Sequence, residues 1–294
     1  MTTQTFEGVY AWLSASAETV WFFAYWGVLA LFAGLETTIP AFQQPPERQK
    51  RWPTNLGLGI VNMMLVPLAP VSAVWAANWA HSQGLGLLNA VSGPRWVAVI
   101  GTFALRDFAG YVFHILLHKV QLLWRTHRVH HLDTHIDVST CLRHHPLELA
   151  AIFFTMVWVA IAFGLDPWAL AAYEIIYTIV DANSHANLRL PLHIDRALRW
   201  LLVTPNMHCL HHSSFQPETD SNYGQVFSLW DRLFGTYSPA PSAGYDAMQI
   251  GLAEIRDERV TDLWWQIKSP ALTIERASKS PPEMLSAPII GKAK

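Results

Sequence analysis

The sequence predicts an all-α integral membrane helical bundle of about four to five transmembrane or re-entrant helices, with a cytosolic helical cap. Three observations predict it. Only 14% of the 294 residues are charged and 51% are apolar, whereas a soluble domain carries about a quarter charged residues. The apolar residues come in long runs separated by short polar turns, as membrane spans do. Thirteen of the fourteen histidines fall between His114 and His212, many at spacings of three and four that put side chains on one helix face. The net charge is −2 and there is no basic tract, so nothing favours a nucleic-acid partner. Cys141 and Cys209 make neither a C-x-x-C nor a disulfide framework, which fits reduced thiols on the cytosolic side.

The elements follow in order. A first apolar run covers residues 20–39 and stops at Pro40; no basic segment precedes it, so it reads as a retained anchor rather than a cleaved signal. The loop 43–51 carries Arg48, Lys50 and Arg51. A second apolar stretch, 55–80, is interrupted by Pro67 and Pro70, giving one kinked helix or a re-entrant hairpin. The loop 81–93 has no Lys or Arg, and Pro94 then starts a third helix reaching His118. Runs 147–165 and 168–186 form an apolar pair joined by the turn Gly164-Leu165-Asp166-Pro167. Residues 195–203 are amphipathic and interfacial, with Arg196 and Arg199 beside Trp200, Leu201 and Leu202. Beyond about Lys268 the Pro-, Ser-, Ala- and Lys-rich tail reads as disordered. This divides the chain into N-terminal transmembrane helices (1–94), a histidine-bearing unit (95–240) and a C-terminal cytosolic segment (241–294). Basic residues in 48–51 and 119–143 place the N-terminus outside and the histidines and C-terminus in the cytosol, in a multi-pass topology. Trp96 and Trp168 are then anchors at the outer interface.

The histidines form three groups: His114-x-x-x-His118, His127-x-x-His130-His131 and His208-x-x-His211-His212. Eight imidazoles aimed inward are too many for one ion and point to two. At about 1.5 Å per residue, His114 and His118 lie roughly 27 and 33 Å beyond Trp96, at the cytosolic edge of a core about 30 Å thick. Asp107 and Tyr111 share their face. Ligating imidazoles commonly donate the second N–H to a carboxylate, which makes Asp107 a candidate for that role. The alternative is pairing with Arg106 or with a polar residue on another helix. Glu174, Thr178, Asp181 and His185 make a polar stripe on the last apolar run, and ionisable groups there default to function. His185 is thus a candidate ninth ligand, or else a hydrogen-bonded core histidine. Of His135, His144, His145 and His193 nearby, His193 reads as surface, while His144 or His145 either orients a ligand or caps the helix at Pro146. His81 falls on the opposite side. Neutral imidazole suits Fe, Zn, Cu and Ni alike, so spacing does not choose the metal.

The residues around these groups resemble the fatty acid hydroxylase/sterol desaturase superfamily of membrane histidine-box di-iron enzymes. Its D-x-x-x-Y lead-in is matched by Asp107 and Tyr111, and its second box by Trp124 to His131. The pattern D…D…R-x-H-P-x-E is matched by Asp133, Asp137, Arg143, His145, Pro146 and Glu148. Thr204 and Pro205 before His208 match the third box, and Asn222-Tyr223-Gly224 with Trp230 to Tyr237 match the C-terminal signature. The resemblance covers about 105–237 and lies nearest to the bacterial sterol-desaturase-like and alkylglycerol monooxygenase branches. His144 departs from it, standing where an aromatic residue precedes His-Pro.

The resemblance implies a lipid monooxygenase or desaturase with two Fe ions, for which zinc can substitute in purified protein. O2 is then the co-substrate, and hydroxylation or desaturation of a fatty acyl chain, sterol or ether lipid the reaction. It implies nine ligands, His114, His118, His127, His130, His131, His185, His208, His211 and His212, with no catalytic residue beyond them. It further implies that His131 and His212 share one ion with His114 and His185, the other box histidines holding the second. Asp181 matches a polar position at the metal centre, and Asp107 and His145 are expected beside the ligands. Electrons must come from a separate donor, such as a ferredoxin, a cytochrome b5 system or a pterin. Two other readings compete. A histidine-ligated haem electron carrier needs one histidine on each of two facing helices. A zinc-dependent membrane hydrolase or transporter lacks its H-E-x-x-H here and would favour sites at mid-membrane.

Overall fold

In the computed structural model, which describes residues 3–42, 48–69, 71–188 and 190–276, all regular structure is helical. The helices are α1 (Thr3–Thr38), α2 (Arg48–Leu65), α3 (Ala73–Ser82), α4 (Leu87–Ala90), α5 (Arg95–Lys119), α6 (Gln121–His131) and α7 (Pro146–Phe163). They continue with α8 (Pro167–His185), α9 (Leu192–Leu198), α10 (Pro205–His211), α11 (Gln216–Thr219), α12 (Leu229–Leu233) and α13 (Leu263–Lys268). Two of them, α5 and α7, are long and apolar enough to cross a membrane, and the 22–38 portion of α1 is apolar but shorter.

Local chemistry sets the boundaries. Pro94 caps α5, and the single extended residue Val120 (φ −90°, ψ 113°) ends it and opens α6. That bend folds His127 and His131 back toward His114 and His118. Helix α8 starts on Asp166, whose carboxylate accepts the Ala169 N–H at 2.9 Å, and α10 starts on the Thr204 hydroxyl; in both, proline sits in the first turn. Helix α7 ends at Gly164, whose φ of +60° is left-handed. Gly86 presses on that turn so closely that a Cβ on it would lie 2.1 Å from the Gly164 nitrogen.

The apolar stretch 55–80 is not one kinked helix but two helices separated by a turn. Helix α2 ends at Leu65, a short 3-10 turn (Val66–Leu68) follows, and α3 begins on the Ser72 hydroxyl. Its two halves differ in kind. Helix α3 brings Ala76 and Ala77 against Ala160, small residues that let α3 and α7 approach closely, with Leu165 beside them. Helix α2 instead buries Arg51, Thr54, Asn55 and Asn62. The expected disorder past Lys268 fails for residues 269–276: Arg128 donates to the Ser269 and Leu272 carbonyls, and Arg276 donates to the His118 carbonyl at 2.8 Å. Residues 277–294 lie outside the described residues.

A buried ionic network ties α2 to the end of α6. Arg51 pairs with Asp133 and reaches Asp137 at 3.0 Å. Asn55 donates to Asp133 and Ser139, both at 2.9 Å. Arg143 donates to Asn55 at 2.8 Å, to the Val129 carbonyl at 2.8 Å and to the Val260 carbonyl at 2.6 Å. Burial alone pushes the Asp133 carboxyl up, but the Arg51 charge and hydrogen bonds outweigh it and hold the group well below the usual carboxylate range. Val129 and Asp133 flank His130 and His131, so this network sets where those imidazoles stand.

Removing one partner of a buried pair strands a charge, at a cost of about 3–5 kcal/mol. Arg51→Met is therefore expected to lower thermal stability in detergent strongly. Arg259→Met, in the half-exposed Arg259–Asp257 pair, should barely change it. Equal unfolding temperatures for the two variants would refute this role for the network.

Candidate metal centre

Nine histidines converge at the junction of α5, α6, α8 and α10, all at least nine-tenths buried. Their ring nitrogens gather into two knots, in each of which one nitrogen per residue lies within 4.8 Å of every other: His114, His118, His127, His131 and His211 in one, His130, His185, His208 and His212 in the other. The two knots abut where His131 stacks on His212, ring centroids 4.6 Å apart.

Helical spacing explains the sorting. The i,i+4 pairs stay together: His114 with His118, His127 with His131, and His208 with His212. The middle histidine of each H-x-x-H-H box is turned away from its pair and crosses to the other knot, His130 joining the four and His211 joining the five. This grouping differs from the expected partition, in which His131 and His212 shared an ion with His114 and His185: here His131 lies with His114, and His212 with His185.

Five rings are oriented through Nδ1, which donates to the Tyr223 carbonyl from His114 (2.9 Å), to Asp220 from His118 (3.3 Å) and to Glu148 from His127 (2.7 Å). His185 donates to the Asp181 carbonyl and His211 to the Ser221 carbonyl, each at 2.8 Å. Their Nε2 lone pairs then face inward. Nε2 atoms approach to 3.1 Å between His127 and His131 and to 2.9 Å between His185 and His208. Nitrogens bound at about 2.1 Å to one ion at right angles would stand about 3.0 Å apart. Nε2 of His118 and of His211 is buried with no hydrogen-bond partner among the described residues. Burial first, then mutual repulsion among the rings, holds His130, His131, His208 and His212 well below the ordinary histidine pKa. Burial and repulsion from His114 do the same for His211. Neutral rings with converging lone pairs are a donor set that fits two metal cations.

The sequence of residues 99–236 matches the family model for fatty acid hydroxylases. That segment belongs to the fatty acid hydroxylase family. Similar curated proteins include alkylglycerol monooxygenase of Xenopus tropicalis, 31% identical over 49% of this chain and 30% of its own length. A cholesterol 25-hydroxylase-like protein of Danio rerio is 27% identical over 62% of this chain and 70% of its own. Ornithine lipid hydroxylase OlsE of Rhizobium tropici is 29% identical over 51% of this chain and 45% of its own. The chain thus spans under a third of the alkylglycerol monooxygenase it matches. No solved structure matches.

Within the fatty acid hydroxylase segment and its flanks, two expected helpers do other work. Asp107 touches no histidine; its carboxylate accepts from Tyr173 Oη (2.5 Å), Trp230 Nε1 (2.7 Å), Val226 N (3.1 Å) and Phe227 N (3.3 Å). It faces the same way as His114 but is claimed by the loop before α12 and by α8. His145 caps α7, accepting from Leu147 N and donating to the Ile267 carbonyl at 3.0 Å. Asp181 stands one turn before His185, whose Nδ1 donates to its backbone carbonyl at 2.8 Å and lies 3.4 Å from its carboxylate. Sequence reasoning missed Asp220 and the Tyr223 and Ser221 carbonyls, and it gave Glu148 no role. Asp231 accepts from Tyr223 N (2.7 Å) and Gly224 N (2.8 Å), shaping the turn that offers its carbonyl to His114. His144 donates to Glu148; burial opposes its charged form, but the Glu148 carboxylate outweighs burial and raises its pKa. His81 bonds Asn89 at 2.9 Å, away from both knots.

Asp107→Ala would leave four donors buried around an empty acceptor, each costing about 1–3 kcal/mol. The expected outcome is a large drop in unfolding temperature of the metal-free protein. A variant that matched the parent without metal and lost stability only when metal is supplied would return Asp107 to the metal centre.

Proposed function

We propose that this chain is a membrane-bound di-iron oxygenase that hydroxylates a C–H bond of a lipid. The observation that carries the proposal is the pair of all-imidazole knots, five and four nitrogens, inside a fatty acid hydroxylase segment. Two irons, when bound, would supply the O2 chemistry: one oxygen atom enters the C–H bond and the other leaves as water, with two electrons and two protons drawn from outside. The ligands would be His114, His118, His127, His131 and His211 for one ion and His130, His185, His208 and His212 for the other. Hydroxylation is favoured over desaturation because the matched relatives are named as hydroxylases and monooxygenases. Those names share a lipid as their object, and a lipid is the substrate class proposed here.

The chain's own residues do three things in this scheme. They hold the rings: carbonyls of Tyr223, Ser221 and Asp181 and carboxylates of Asp220 and Glu148 fix five Nδ1–H groups, which keeps ligands basic and correctly turned. They exclude water: Trp124 packs 5.1 Å from His118 and 5.5 Å from His131, and Tyr223, 1% exposed, packs on His114, His118 and His211. They bring the centre to lipid: α5 carries His114 and His118 at one end of a helix whose Trp96 and Ile100 are largely exposed at the other. In this reading the chain is multi-pass. Residues 1–94 supply N-terminal transmembrane helices, 95–240 the catalytic unit and 241–294 a cytosolic segment. The histidines and C-terminus face the cytosol, where a separate ferredoxin, cytochrome b5 system or pterin delivers electrons.

Protein purified after growth with iron should contain two irons per chain and, given a lipid extract, a reductant system and 18O2, should yield a hydroxylated lipid bearing one labelled oxygen. His118→Ala, His130→Ala and His211→Ala should each abolish that product while still inserting in membranes, whereas His81→Ala should retain it. One zinc per chain with no product after iron reconstitution would refute the proposal.

A further inference from the structure

Glu148 is fully buried on the first turn of α7, and one of its oxygens, Oε1, accepts two imidazole N–H bonds, from His127 Nδ1 at 2.7 Å and from His144 Nδ1 at 3.0 Å. His127 belongs to the five-nitrogen knot. The His144 ring also lies flat on His130 of the four-nitrogen knot, with centroids 4.5 Å apart and planes 9° from parallel. His144 is itself pinned: its carbonyl accepts from Asn62 Nδ2 at 2.8 Å, and its N–H donates to the Leu142 carbonyl at 3.0 Å. One side chain therefore touches both knots, through a carboxylate on one side and through a ring face on the other.

We infer that His144 is a positioning residue that couples the ligand geometry of the two knots, holding His127 through Glu148 and His130 by stacking. The inference rests on the two-metal reading above. Two demands meet at this position. Stacking on His130 needs a flat ring, because a parallel neighbour blocks rotation of the His130 ring about its last side-chain torsion. Fixing Glu148 needs an N–H within reach at i,i+4, which α7's first turn provides. Phenylalanine meets the first demand only, and alanine neither. His145, next in the chain, has no N–H left for Glu148, because its nitrogens are committed to Leu147 N and the Ile267 carbonyl.

The test uses the full-length protein in detergent, loaded with 57Fe, with iron counted per chain and the reduced protein examined by Mössbauer spectroscopy. The parent should hold two irons and give two ferrous doublets, one for each nitrogen environment. Glu148→Gln should shift one doublet, marking the knot that contains His127. His144→Phe, which keeps the stack, should shift that same doublet and leave the other in place. His144→Ala should shift both and speed loss of iron to a chelator by about tenfold or more, as removing an outer partner of a ligand does. Parental doublets in His144→Ala, even with a lowered unfolding temperature, would overturn the inference, since His144 would then only fill space. Both doublets moving in His144→Phe would overturn it as well. If His144→Ala does not fold, the near-isosteric His144→Phe still decides. Fewer than two irons in the parent would overturn the two-metal reading itself, and this inference with it.

Discussion

Nine imidazoles packed into one buried volume form the constraint on which the rest of this structure depends. Each ring has one N–H to give and one lone pair to satisfy. The N–H can be directed to a carbonyl or carboxylate, and in five rings it is. On the inner side Nε2 atoms of neighbouring rings face one another at about hydrogen-bond distance. Cations shared among several rings would satisfy that arrangement, and the nitrogens gather into groups of five and four.

Holding rings in so costly an arrangement requires rigid surroundings, and the surroundings are polar rather than greasy. The Arg51–Asp133–Asn55–Arg143 network fixes the end of α6 from one side. The carboxylates of Asp107 and Asp231 order the loop 222–237 from the other, and that loop presents the Tyr223 carbonyl to His114. Segments from both ends of the chain join in: α2 carries Arg51 and Asn55, while residues 257–276 supply the Val260, Ile267 and Ser269 carbonyls and Arg276. The centre is therefore built by far more of the chain than the histidine-bearing helices, although the family match stops at residue 236.

How much of this was legible in the sequence depended on the range of the interaction. Spacings of three and four, within a helix, made all eight box histidines readable, and the stripe Glu174–Thr178–Asp181–His185 singled out the ninth. Two pairings within that stripe were not read from it: Glu174 pairs with Arg106 at 2.7 Å, and the Asp181 carbonyl accepts from His185. Which histidines from different helices meet was not legible, because it depends on tertiary features such as the bend at Val120 that brings α6 back onto α5. Asp107 was placed on the correct face, yet its partners lie more than 60 residues away in α8 and the loop 226–230. Glu148 was visible only as part of a pattern, since its partner His127 is on a different helix. His144 stood out as a departure from the family, and its contact with Glu148 and His130 is a three-dimensional fact.

The central claim is that two ions are bound with the middle histidine of each box crossing to the opposite site. The most direct measurement is an experimental structure of the iron-loaded protein with anomalous scattering recorded at the iron edge. The account predicts two iron peaks, one ringed by His114, His118, His127, His131 and His211 and the other by His130, His185, His208 and His212. A single peak, or one ion bound by both His131 and His212, would contradict it.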